Sequence, residues 1–288
     1  MQITRVDENG SRHYVCDVPN DKTYKGISIT SFINLFTDKS WHDGWINSIV
    51  AKIPDAEFYN HSELIQMANR QANEITLNSQ TYGTSKHEMV EKYLIEKVDN
   101  PSLTADIPDE SKLSSFLNLS RPLEWLFFDT PKNIAVELKV FYNQDNFSIG
   151  GTLDSCLKID TTKIKDLQHI KDETFIVDWK FPTKPKYQKD VVNYMLQLAI
   201  YREALHWSYD YYLTNAIIAM SPKQNAKKTK YIDELYLYYL DEEKLNYFTN
   251  VFTHMIMLYL DDEVDKFNWK RFVEDTKSLG MLAERIYL

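Results

Sequence analysis

The sequence predicts an α/β fold whose core runs helix, three strands, helix, strand (αβββαβ), with helical additions at both ends. Three observations lead there. Two runs rich in β-formers, "NIAVELKVFY" (133–142) and "FSIGGTLDSCLKI" (147–159), flank a turn-like Asn143-Gln144-Asp145-Asn146. A third strand-like stretch, "TFIVDWKFPT" (174–183), follows. Amphipathic helical patterns bracket this block, opening at residues 83 and 187. With 288 residues, 43% hydrophobic and 14% aromatic, the chain has enough apolar material for a sizeable core.

Taken in order, residues 1–17 alternate around Asn9-Gly10, a dipeptide that favours a type I′ turn, and predict a β-hairpin. "ISITSFINLFTDKSWHDGWINSIV" (27–50) places Ser/Thr caps before apolar helical spacing, predicting a short helix and a second, tryptophan-bearing one. Residues 60–80 read as a further helix, so the front third is expected to be mostly helical. "GTSKHEMVEKYLIEKV" (83–98) has Ser85 and Glu88 spaced as a capping box, predicting a new helix of about four turns. After the three strands, "YQKDVVNYMLQLAIYREALHW" (187–207) predicts a long helix. "TNAIIAM" (214–220) and "ELYLYYL" (234–240) predict strands, and two helices close the chain. The expected division is 1–82 as an N-terminal hairpin and helical extension, 83–240 as the core and 241–288 as C-terminal helices, together one structural unit.

Composition narrows the function classes. Glycine (7) and proline (9) are sparse, and no apolar run approaches membrane-spanning length. The N-terminus lacks the basic-then-apolar order of a signal peptide, so a cytoplasmic protein is expected. Two cysteines, Cys16 and Cys156, are too few for a four-thiolate zinc site or an iron–sulfur cluster. A net charge of −9 argues against coating nucleic acid by bulk electrostatics. Lysines nevertheless gather at 163, 165, 171, 184, 186 and 189, and at 223, 227, 228 and 230. These are either solvated loops or a phosphate-contacting rim.

The candidate site residues are polar side chains on elements that otherwise read as core. In an extended 174–183, Phe175, Val177 and Trp179 share one face, while Ile176, Asp178 and Lys180 share the other. Asp178 and Lys180 make either an ion pair at a sheet end or part of a reactive site. His87 and Glu91 lie four apart on the helical face that carries Val90 and Leu94; His87 is a hydrogen-bonded core histidine or a metal ligand. Gly150-Gly151 permits close backbone approach, and Asp154 is expected on the face of Thr152 and Cys156, with Glu137 on the partner strand. Gln197 and Tyr201 share a face of the long helix.

The order of these residues is more specific than any one of them: G-T-x-x-H-x-x-x-E on a helix, E on a strand, G-G-T-x-D on the next, D-x-K on the third, and Q-x-x-x-Y on the following helix. This order resembles the PD-(D/E)XK nuclease superfamily and, within it, the RecB-like branch. "YKGISITSFINLF" and "YGTSKHEMVEKYL" are also similar to the small exonucleases typified by the mitochondrial genome maintenance exonuclease and its phage relatives. The likeness spans residues 24 to about 220. Leu153-Asp154 departs from the superfamily's Pro-Asp.

The resemblance implies a restriction-endonuclease-like core with a mixed central sheet flanked by helices, and Mg²⁺- or Mn²⁺-dependent hydrolysis of DNA. Asp154, Asp178 and the backbone carbonyl of Trp179 would hold the cation, His87 would ligate or border a second one, and Lys180 would orient and help deprotonate the attacking water. Glu91, Glu137, Gln197 and Tyr201 would support the site or contact substrate. An exonuclease acting on single strands or ends is expected, with Trp41, Trp45 and Tyr82 available for base stacking. A structure-specific or recombination endonuclease, or a non-catalytic nucleic-acid-binding protein of the same fold, is the alternative.

Overall fold

The structure, a computed structural model, describes residues 1–288 apart from 9, 20–21, 39, 108–109, 126–132, 171–172 and 225–231, and apart from the side chains of 40 and 41. Its described strands form one mixed sheet between two helical layers.

Three strands open the chain, β1 (Gln2–Glu8), β2 (Ser11–Val18) and β3 (Lys22–Ser28), in an antiparallel meander. The expected first hairpin is present, although Asn9 of its turn lies outside the described residues. β3 was not expected, and it corrects the mostly helical reading of the front third. Its polar and glycine-bearing KTYKGIS lacks a strong β-former run, but Ile27 and Ser28 pair in parallel with Ile149 and Gly150. The chain then enters α1 (Ile29–Phe36), capped by Ser28, whose Oγ accepts from the Ser31 N–H at 3.0 Å, and α2 (Ser40–Val50).

The predicted helices at 60–80 and from 83 are a single one, α3 (His61–Asp99). At 39 residues it is about 58 Å long. Its capping box is Asn60 with Glu63 at the true N-terminus. Ser85 instead turns its hydroxyl back onto the Tyr82 carbonyl at 2.9 Å, and Glu88 is exposed. Ser85 and Glu88 have capping spacing, but with helix already behind them there is no open N-terminus to cap. The division at 82/83 therefore falls inside a helix. The first half of α3 packs with α2 around a small core of Ile46, Ile49, Ile53, Ala68 and Ala72.

Next come α4 (Ser111–Asn118) and β4 (Ser120–Pro122), both unforeseen, and the expected hairpin of β5 (Val136–Gln144) and β6 (Phe147–Ile159), which turns through Asp145 at a φ of 51°. β7 (Thr174–Lys180), α5 (Val192–Tyr209), β8 (Ala216–Met220) and β9 (Tyr236–Leu240) follow as expected. β7 and β8 are parallel, and the strands on either side of this pair run antiparallel to it. Inserts aside, the αβββαβ order holds.

α5 is apolar on nearly every side because it lies between the sheet and other helices. It shares one core with α1, α6 (Glu242–Leu260) and α7 (Trp269–Ser278), so residues 241–288 are built into the main core rather than added to it. β10 (Glu284–Ile286), too short to read from sequence, pairs with β9. On the opposite face α4 and the second half of α3, through Val90 and Leu94, cover Phe175, Val177 and Trp179. No described helix is long and apolar enough to cross a membrane.

Candidate active site

The site lies where the sheet parts. β6 is a central strand with β5 and β4 on one edge, β3 and β7 on the other. On the second edge β3 reaches only Ile149 and Gly150, and β7 begins pairing at Ser155. Residues 151–154 thus face an opening between two strands, and buried backbone groups there need other partners. Tyr201 supplies one: its hydroxyl donates to the Thr152 carbonyl at 2.8 Å, and it accepts from Gln197 Nε2 at 3.0 Å. Asp154 supplies another, its Oδ2 accepting from the Trp179 N–H at 2.8 Å, so a side chain continues the ladder that β6 and β7 abandon.

The same point breaks the alternation of side chains. Leu138 and Leu153 face the α5 core, whereas Val136 and Leu157 face the α3 core, and the paired residues step from Leu138–Leu153 to Val136–Ser155 with Glu137 and Asp154 outside the ladder. Glu137 has a φ of 50°, uncommon for a residue with a side chain. This corrects the expected sharing of a face by Thr152, Asp154 and Cys156. Thr152 Oγ1 bonds Tyr14 Oη at 3.0 Å, while Cys156 is buried in the α5 core. A strict two-residue period cannot foresee a backbone that changes hand in mid-strand.

Gly150 and Gly151 are needed here for space. A Cβ on Gly151 would lie 2.6 Å from Tyr201 Cε1 and 2.8 Å from Ile29 Cδ1, and one on Gly150 would lie 2.4 Å from Tyr14 Cβ.

Around the opening the structure gathers most of the expected residues. His87, Glu137 and Asp154 offer ligand atoms that all lie within 4.8 Å of one another. His87 Nδ1 is 3.7 Å from Asp154 Oδ2, and its ring meets Phe181 edge-on at 5.2 Å. With its side chain 30% exposed, His87 sits at the rim of the opening, not in the core. Asp178 stands outside this trio. It is 2% exposed; Lys180 Nζ approaches its Oδ2 to 2.6 Å as an ion pair, while Oδ1 is buried without a hydrogen-bond donor. Lys180 also lies over the Tyr194 ring, 4.8 Å from its centroid.

The ionisation states follow from burial and crowding. Burial, eased by Lys180 and reinforced by Asp154, pushes the Asp178 carboxyl up to about 6. Burial also raises Asp154. Glu137 is pushed up to about 8, by burial first and then by Asp154 and Glu91, which places Glu91 within electrostatic reach of the trio. Burial lowers His87, as does Lys180, so its imidazole is neutral at pH 7. Asp178 and a backbone hydrogen bond at Trp179 work the other way. For Lys180 burial favours the neutral amine, but Asp178 and Asp154 outweigh it and raise its pKa. Tyr201 is raised by burial and by both aspartates.

This donor set fits a hard divalent cation: Asp178 has a buried oxygen without a donor, and two further carboxylates and an imidazole converge beside it. Several contributors escaped the sequence reading. Tyr194 is three residues before Gln197 and seven before Tyr201, a spacing that could have found it. Arg5 and Arg12 of the first hairpin act on Glu137 from a distance in sequence that no local pattern reveals.

Of the expected cationic rim, Lys184 and Lys186 line a cleft of about 530 Å³ beside Lys180, together with Ser79, Gln80 and Tyr194. Lys223 lines a second, larger cleft with Lys86 and Tyr82. Lys171, Lys227, Lys228 and Lys230 lie outside the described residues, as does the side chain of Trp41. Trp45 packs against the small α2–α3 core. No protein-family model and no curated protein matches the sequence.

Proposed function

We propose that the protein is a divalent-cation-dependent nuclease of the PD-(D/E)XK superfamily, RecB-like branch, that hydrolyses DNA phosphodiester bonds as an exonuclease on single strands or ends. The observation that carries this reading is Asp178: a buried carboxylate with Oδ1 unpartnered and Oδ2 met by the Lys180 ammonium, beside the opening in the sheet where Asp154, Glu137 and His87 of α3 converge. A buried carboxylate oxygen left without a partner costs stability, and a cation at Oδ1 would meet it.

Asp178 and Asp154, with the Trp179 carbonyl, would hold Mg²⁺ or Mn²⁺, and His87 and Glu137 would border it. Such a cation supplies charge neutralisation at the phosphoryl oxygens and a more acidic water. Lys180, held charged by its two aspartates, orients a phosphate oxygen or the attacking water by hydrogen bonding. It becomes a proton acceptor only when the aspartates' charge is neutralised. His87, kept neutral, presents an acceptor nitrogen at the rim. Tyr201 and Gln197 fix the carbonyl of Thr152, two residues before Asp154, and so hold that carboxylate in position.

The deciding experiment incubates the protein with end-labelled linear and with circular single-stranded DNA, in Mg²⁺, Mn²⁺ or EDTA. Cation-dependent loss of the linear substrate alone is expected. Cleavage of the circle would move the reading to an endonuclease. Binding of DNA without cleavage in either cation would overturn the enzyme and leave a nucleic-acid-binding protein.

A further inference from the structure

Lys186 belongs to two clefts. It lines the one beside Lys180, and on its other side it lines a separate cleft of about 370 Å³ with Tyr187, Tyr236, Tyr238 and Arg285. The two lysines straddle one ring: Lys180 Nζ is 4.8 Å and Lys186 Nζ 4.7 Å from the Tyr194 centroid, and Lys186 also donates to Tyr194 Oη at 2.7 Å. The second cleft therefore begins one side chain away from the candidate active site. Its make-up is unlike that of the first. The Arg285 guanidinium lies 4.0 Å from the centroid of Tyr236 and 5.0 Å from that of Tyr287. Tyr187 is 71% exposed and Tyr287 59% exposed.

These rings are exposed on backbone that is held in place. The Tyr187 N–H donates to Asp190 Oδ2 and its carbonyl accepts from the Asp190 N–H at 2.8 Å. The neighbouring Lys186 carbonyl accepts from Tyr238 Oη at 2.6 Å, and the Tyr287 N–H donates to Asp166 Oδ2 at 3.2 Å. A large ring turned to water on a pinned backbone gives up apolar burial without gaining mobility, which suits a preorganised contact. Glu234 is the acidic group in the cleft lining, and its carboxylate is taken up by the Tyr236 hydroxyl.

We propose that this cleft of Tyr187, Tyr236 and Arg285 binds a base of a single-stranded polynucleotide whose phosphate lies at Lys180 and Lys186. The occupant is set by chemistry. Aromatic faces and a guanidinium stack on any base, while the adjoining lysines neutralise the phosphates on either side of it, the combination that single-strand-binding surfaces use. A duplex could not enter this way, because its bases are already stacked on one another. The cleft draws on the C-terminal strand β10, through Arg285, which gives that strand a use beyond closing the sheet edge. The inference rests on the nuclease reading for what lies at Lys180.

The test uses the full chain stripped of metal with EDTA and a 12-nucleotide oligothymidylate carrying one 5-iodouracil. Irradiation is expected to cross-link Tyr187, identified by peptide mass. In fluorescence anisotropy Tyr187→Ala should bind the oligonucleotide roughly tenfold more weakly, the size of one base–aromatic stack. Tyr187→Trp should restore binding. Hydrolysis of bis(p-nitrophenyl) phosphate in Mn²⁺, a diester too short to reach the cleft, should be unchanged in both variants. If that diester is hydrolysed but the variants bind the oligonucleotide like the wild type and Tyr187 is not cross-linked, the cleft assignment falls and the nuclease reading stands. If the wild type neither hydrolyses the diester nor binds the oligonucleotide, both fall.

Discussion

Asp178 and Lys180 show how a strand can carry charge through a core. Asp178→Asn changes shape very little and removes the charge that an incoming cation would meet, so cleavage should be abolished with folding intact, as judged by circular dichroism and melting. Retained cleavage would remove Asp178 from the proposed cation site. His87 separates two readings that the sequence left open. At the rim, half-covered and neutral, it should lose at least tenfold in turnover as His87→Ala, about 1.4 kcal/mol, with little change in melting temperature. A destabilised but fully active variant would return it to the core. Among single residues the sequence was legible where function needs an unusual residue type on a regular element: His87, Asp178, Lys180, Gln197 and Tyr201 all stood out against apolar neighbours. Glu137 was expected on the strand that partners Asp154, as a residue that supports the site or contacts substrate. What makes it a member of the trio is a backbone reversal with a φ of 50°, and that is not encoded in any local spacing.

At the scale of elements, strong periodicity was readable and interruption was not. The β5–β6 hairpin, β7 and α5 follow their patterns because each is buried on two sides and its apolar residues leave little choice of register. The false break at 83–85 arose because glycine, threonine and serine together imitate a helix start, whereas the tertiary contacts of α2 on one half of α3 and of the sheet on the other keep the helix whole. This has a direct check. Gly83 sits in the helix interior with nothing within 4 Å of an added Cβ, so Gly83→Ala should stabilise the protein by roughly 0.5–1 kcal/mol in urea titration. A destabilising result would mean that the chain departs from helix there. Short elements such as β4 and β10, three residues each, carry too few side chains to show any period, and only their pairing with β6 and β9 defines them.

For the molecule as a whole, the clustered acids tie stability to pH in metal-free solution. Glu137 rises on folding from an ordinary 4.5 to about 8, so its contribution to stability is fully present below about pH 4.5 and is lost as pH rises through 8. Asp178, raised to about 6, acts in the same direction over a lower window. Glu137→Gln does not titrate. The melting temperature of the wild type minus that of Glu137→Gln, measured in EDTA, should therefore fall between pH 4.5 and 8 and then level off. Mn²⁺ at pH 8 should recover the difference. A difference that rises with pH would show that Glu137 is not crowded by the other carboxylates.

The pairing of β3 with β6 carries a consequence for how the chain acquires its form. Ile27 meets Ile149 across about 120 intervening residues, a closure whose entropic cost no local contact offsets. The meander of β1, β2 and β3 leaves the ribosome before β6 does, with β3 as an unpaired edge, and must wait for β6 before its register is settled. Folding should accordingly be slow for a chain of this helical content, with the nucleus in β5, β6, β7 and α5 and the N-terminal strands docking late. The opening that houses the acids would then be completed only in the last step, when β3 takes its two places on β6 and leaves the next four residues uncovered.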